Sequence, residues 1–144
     1  MKRNTVFGYL GLLFGLLMVL SFASAAQSFS ISPSSDSRTT NVGNTVTGSF
    51  VITNTGTLPV NLTFVANSLT SGSTTIGVTT NTSTITNLGI GQAANVTFSY
   101  STTGKAAGYY TGTIVSENTD NTSMTQTFNI ALTLNSAGGG AITT

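Results

Sequence analysis

The sequence predicts an all-β, two-layer sandwich behind a hydrophobic N-terminal segment, and three observations carry that prediction. Apolar residues from Phe29 onward recur with period two, so each run buries one face and wets the other. Gly, Pro and Asn punctuate the runs at roughly ten-residue spacing, the beat of short strands joined by turns. Thr fills the alternate positions, where its β-branch favours extended backbone. No segment after the leader carries an apolar period near 3.6, so no helix is expected there.

The leader comes first. Lys2 and Arg3 precede an uncharged run from Val6 to Phe22, which Ala23, Ser24, Ala25 and Ala26 close. A basic start, an apolar stretch and a small-x-small end make residues 1–26 a secretory signal peptide, cut after Ala25 or Ala26. The run also approaches the lower limit for a membrane span, so an uncleaved anchor through residues 5–26 stays open as the alternative. A third reading is a pilin-type leader cut behind the basic residues, although Asn4, Thr5 and Val6 lack the small residues of such a site. All three readings export the rest of the chain.

Residues 27–37 read as an N-terminal strand and linker, with Phe29 and Ile31 at period two before a Ser-rich stretch. Residues 38–134 form the sandwich. Val46, Gly48, Phe50 and Ile52 mark one strand, which Asn54, Thr55 and Gly56 close. Pro59 opens the next, marked by Val60, Leu62, Phe64 and Ala66. Gly72 and Gly77 flank a weaker strand around Thr74 to Thr79. Val96, Phe98 and Tyr100 follow, then Tyr110, Gly112 and Ile114, and last Phe128, Ile130, Leu132 and Leu134. Glu117 to Asn121 links the final two strands, and Tyr109 or Tyr110 is placed for a tyrosine corner. The tail at residues 135–144 is Gly-rich, unpatterned and expected to be flexible. Seven or eight short antiparallel strands in this order are the pattern of an immunoglobulin-like (Ig-like) β-sandwich, here without Cys or Trp.

The stretch Gly43 to Phe64 (GNTVTGSFVITNTGTLPVNLTF) resembles the strand–NTG–strand hairpin of secreted Ig-like modules on archaeal and bacterial surfaces. Leu88 to Gln92 with Val96, Phe98, Gly108 and Tyr110 match the second half of that pattern. The NTGTLP run at Asn54 to Pro59 is similar to the TasA/camelysin group, which includes fibre-forming matrix proteins. The resemblance implies a surface sandwich, and its pilus- and thread-forming relatives imply assembly by donating a strand to a neighbour. This chain is shorter than TasA-like proteins and nearly uncharged.

Composition removes most chemistry. Charged residues make up 5% of the chain, where a globular domain carries about a quarter. Four basic side chains make no nucleic-acid face. With no His and no Cys there is no imidazole base, thiolate or Cys/His metal site. No catalytic residue, cofactor or metal is expected. Glu117, Asn118, Asp120 and Asn121 offer oxygen ligands for Ca²⁺, but in no known loop spacing, and a solvated turn explains the same residues.

Asn61, Asn81, Asn95 and Asn121 each begin an Asn-x-Ser/Thr sequon and are the candidates for N-linked glycan. The edge strands carry almost no charge, whereas sandwiches usually guard such edges with Lys, Pro or inward charges. Pairing between copies would use bare edges, with residues 27–37 as the candidate donor strand and Phe29 and Ile31 as its anchors. The same segment also suits the domain's own first strand. The function expected is a non-enzymatic, secreted or cell-surface structural protein, a self-assembling filament subunit with identical copies as partners. The alternative is a monomeric, membrane-anchored or secreted Ig-like binding or spacer module of the cell envelope.

Overall fold

The structure, a computed structural model, describes residues 25–136. Residues 1–24 of the expected leader and residues 137–144 of the expected tail lie outside the described residues.

Strands β1 (Phe29–Ser32), β2 (Ser35–Asn41), β3 (Thr45–Asn54) and β4 (Val60–Ala66) open the fold. Short pieces follow: β5 (Leu69–Ser71), β6 (Thr74–Ile76), β7 (Thr79–Thr80) and β8 (Thr84–Leu88). The long strands β9 (Ala93–Ser101), β10 (Gly108–Asn118) and β11 (Asn121–Asn135) close it. One sheet has the order β1-β3-β9-β7; the other runs β2-β11-β10-β4-β8, with β5 on β10 and β6 on β5.

The two sheets press their alternating apolar faces together. Phe50 on β3 stacks on Phe128 of β11 at 4.7 Å between ring centres, and Phe98 on β9 meets the same ring at 5.3 Å. Around them lie the buried Ile52, Leu62, Ile114, Ile130 and Leu132. Each such side chain contributes about 1.5–3 kcal/mol of transfer free energy, which is how a chain without disulfides holds this shape.

The expected sandwich is present, with three differences. The strands number eleven among the described residues instead of seven or eight: Gly77 divides the weak middle strand into β6 in one sheet and β7 in the other, and β2, β5 and β8 are additional. One pairing is parallel: β2 runs beside β11, from Ser35 opposite Asn129 to Asn41 opposite Asn135. Residues 27–37 are part of the body. Pro33 ends β1, having no amide hydrogen for a ladder, and the chain crosses to the second sheet. There the supposed linker begins β2.

Candidate functional site

The N-terminal strand is held by a clasp built on Asn54. This residue ends β3 on its inward face, so its carboxamide is buried. Nδ2 donates to the carbonyls of Leu58 and Leu88 at 2.9 and 2.8 Å, and Oδ1 accepts the Gly56 amide at 2.9 Å. A buried carboxamide with three good partners costs little to bury and fixes both loops at that end. The ordered turn then presents its own amides. Thr55 and Gly56 donate to the Ser28 carbonyl at 3.0 and 3.1 Å, and Thr57 donates to Ala26 at 2.8 Å. Gly56 has no room for a side chain, since a Cβ there would stand 2.5 Å from the Ala26 carbonyl oxygen.

The β10–β11 hairpin grips the same segment from the other side. Gln27 Nε2 donates to the Pro59 carbonyl at 3.1 Å and to Asp120 Oδ2 at 3.2 Å, while its Oε1 accepts from Asn118 Nδ2 at 3.0 Å. Asn118 Oδ1 accepts the Asp120 amide, forming an Asx turn. The calcium candidates are therefore spread apart. Asn118 points between the sheets, its neighbour Glu117 to the outer face, and Asp120 receives two amide donors.

Beyond the clasp, Phe29 is buried and Ile31 half-buried against the core, opposite Asn54 and Ile52 of β3. The two donor-strand anchors thus occupy their own domain's groove, at the rim of the first sheet.

The rims differ from expectation. They carry few charges, Asp36 and Arg38 on the outer strand β2 among them, and side chains cap them. Lys105 Nζ donates to the Thr75 carbonyl on β6 at 2.7 Å. Beyond β7, Asn81 bonds to Thr97 of β9 through its amide and through its side-chain Oδ1, both at 2.9 Å. A carboxamide here replaces the missing strand residue. These pairs are 30 and 16 residues apart along the chain, so strand composition alone did not reveal them.

The four sequons are not equivalent. Asn61 is engaged at both ends: Nδ2 donates to Asp120 at 3.0 Å and Oδ1 accepts the Asn87 amide at 2.8 Å. Asn87 has φ of 52°, a left-handed conformation that Asn tolerates better than most, and the Asn61 contact fixes it. Asn81 uses only Oδ1. Asn95 lies exposed on the outer face of β9, and Asn121 lies exposed at the start of β11. Neither makes a side-chain hydrogen bond among the described residues.

Tyr110 takes the corner role: its hydroxyl donates to the Ala106 carbonyl at 2.8 Å, while Tyr109 is exposed. Tyr100 is the electrostatic anomaly. Its hydroxyl is buried with no hydrogen-bond partner. Burial, aided by the Asp36 carboxylate and opposed by Arg38, pushes its pKa up to about 12. Arg38 Nε donates to both Asp36 oxygens, at 2.7 and 2.9 Å, beside a depression of about 410 Å³ lined by Pro33, Gly48 and Ser49.

No protein-family model matches the chain, and no curated protein is similar to it in sequence. Solved structures are similar in fold. A PapD-like domain of human CEP192 matches with a TM-score of 0.60 at 14% identity, over 76% of this chain and 87% of that one. A chaperone–tip adhesin complex of CFA/I fimbriae matches at 0.55 and 9% identity, over 76% of this chain and 57% of that one. The fold is an Ig-like β-sandwich, similar to that of PapD-like domains. A family 123 glycoside hydrolase from Clostridium perfringens matches at 0.62 and 12% identity, over 72% of this chain. This chain covers only 23% of that hydrolase. At such identities the likeness extends to fold and no further.

Proposed function

We propose that this chain is a non-enzymatic structural module of the cell exterior, of the adhesion or pilus-associated kind, whose copies join by exchanging the first strand. The observation that carries this reading is the place of β1. It is a four-residue strand at a sheet rim, free of charge, with Phe29 and Ile31 seated at period two against the core. A strand donated by a neighbour would use the same groove, register and anchors. The fold likeness to a fimbrial chaperone–adhesin complex supports it, as does the resemblance of the NTGTLP run to fibre-forming TasA/camelysin proteins. The leader supports export. Negative-stain microscopy and sedimentation of the secreted protein test the proposal: fibres or a ladder of oligomers are expected, and a monomer at high concentration would contradict it.

The second reading is the monomeric spacer or binding module. The capped rims favour it, because Lys105 and Asn81 occupy groups that another chain would need.

A further inference from the structure

We infer that the leader is removed at the Ala25–Ala26 bond and that the new amino terminus of Ala26 is seated on Thr57. The inference rests on the export reading and selects one of the two bonds that the small-residue pattern allows.

Among the described residues, hydrogen bonds to the body begin at Ala26. Its nitrogen donates to Thr57 Oγ1 at 2.8 Å. Its carbonyl accepts the Thr57 amide at 2.8 Å and the Thr57 hydroxyl at 3.3 Å. The single residue Thr57 therefore reads both ends of Ala26. Gly56 leaves the lane open, since a Cβ there would crowd Ser28 N at 2.6 Å as well as the Ala26 carbonyl.

The chemistry of the cut agrees with the seat. A leader peptidase whose pockets accept Ala23 and Ala25 adds water across the Ala25–Ala26 amide. Ala25 departs with the carboxylate, and Ala26 keeps an amine that is protonated below its ordinary pKa of about 8. An ammonium in place of a peptide N–H strengthens the bond to Thr57 Oγ1, because a charged donor bonds more strongly than a neutral one.

Cutting one bond later would undo this arrangement. The three Ala26 contacts would be lost, and Gln27 would become the first residue. An N-terminal glutamine closes on itself: its amine attacks the side-chain amide carbon, ammonia leaves and a lactam forms. That reaction removes the Nε2 that donates to Pro59 and Asp120.

The experiment is intact-mass and N-terminal sequencing of the exported full-length gene product, with two variants. The wild type is expected to begin at Ala26. Ala25→Leu blocks the pocket next to the cut and moves cleavage to Gln27, and that product is expected to melt at a lower temperature. Thr57→Val leaves the leader untouched and is expected to lower the melting temperature as well. A wild-type product beginning at Gln27 or its lactam overturns the site while export stands. Unchanged melting in Thr57→Val overturns the seat. A chain retained in the cell with its leader attached overturns the inference and the export reading together.

Discussion

Asn81 Oδ1 lies 2.9 Å from the Thr97 amide nitrogen, so a side chain closes the β9 ladder where β7 has already ended. The contact guards an edge without using charge. Asn81→Ala exposes that amide and is expected to cost about 1 kcal/mol, the usual net worth of one hydrogen bond, in urea unfolding. The same variant should increase self-association in light scattering, because one more strand position becomes available for pairing. A variant as monodisperse and as stable as the wild type would remove the capping role.

Asn54 ties three backbone groups together through one buried side chain. Asn54→Ala takes the side-chain donor from the Leu58 and Leu88 carbonyls and leaves the Gly56 amide only its bond to Ser28, in a region where the side chain is 1% exposed. Unsatisfied buried groups cost about 1–3 kcal/mol each, so a loss of about 2 kcal/mol or more is expected from denaturant midpoints. Hydrogen exchange should also quicken at the Thr55, Gly56 and Thr57 amides, which clasp the N-terminal strand.

Tyr100 gives a pH dependence with a definite sign. Its folded pKa of about 12 lies above the ordinary value of 10.0, so the folded state keeps a proton that the unfolded chain releases. Its contribution is complete below pH 10 and is lost as the pH rises toward 12. Tyr100→Phe should flatten that alkaline decline. It should also stabilise the protein by about 1 kcal/mol at neutral pH, since it deletes a buried hydroxyl that has no partner. Thermal melts at a series of pH values check both.

The sequons are expected to differ in occupancy. Asn95 and Asn121 present free carboxamides, whereas Asn61 would have to release Asp120 from the Nδ2 that carries the glycan. Peptide mapping of the native protein should find glycan at Asn95 or Asn121 and an unmodified Asn61. Glycan on Asn61 would contradict the bridging role of that side chain.

The long strands were legible because Phe50, Phe98 and Phe128 each sit within an alternating run, and alternation is a local property. Strand β2 was not legible. Ser35–Asn41 carries no apolar residue, and it is a strand only because the backbone of β11 lies beside it. Strand β8 was missed for a related reason: Ile85 and Leu88 are out of phase, with the left-handed Asn87 shifting the register between them. The NTG run was recognisable as a turn. Its grip on Ala26 and Ser28 was not, because the partners lie 27 and 31 residues apart in the chain with no repeated pattern to link them. The rim caps stayed hidden for the same reason, as Lys105 and Thr75 meet only in three dimensions.

Strand exchange is tested most directly by a cysteine pair placed across β1 and β3. The chain has no native cysteine, and Ser30 faces Thr53 in register. Facing positions on antiparallel strands lie within the span a disulfide bridges. Ser30→Cys with Thr53→Cys, oxidised after assembly and run on a non-reducing gel, is expected to give a ladder of covalent multimers. A single band at the monomer, cross-linked within one chain, would contradict the exchange.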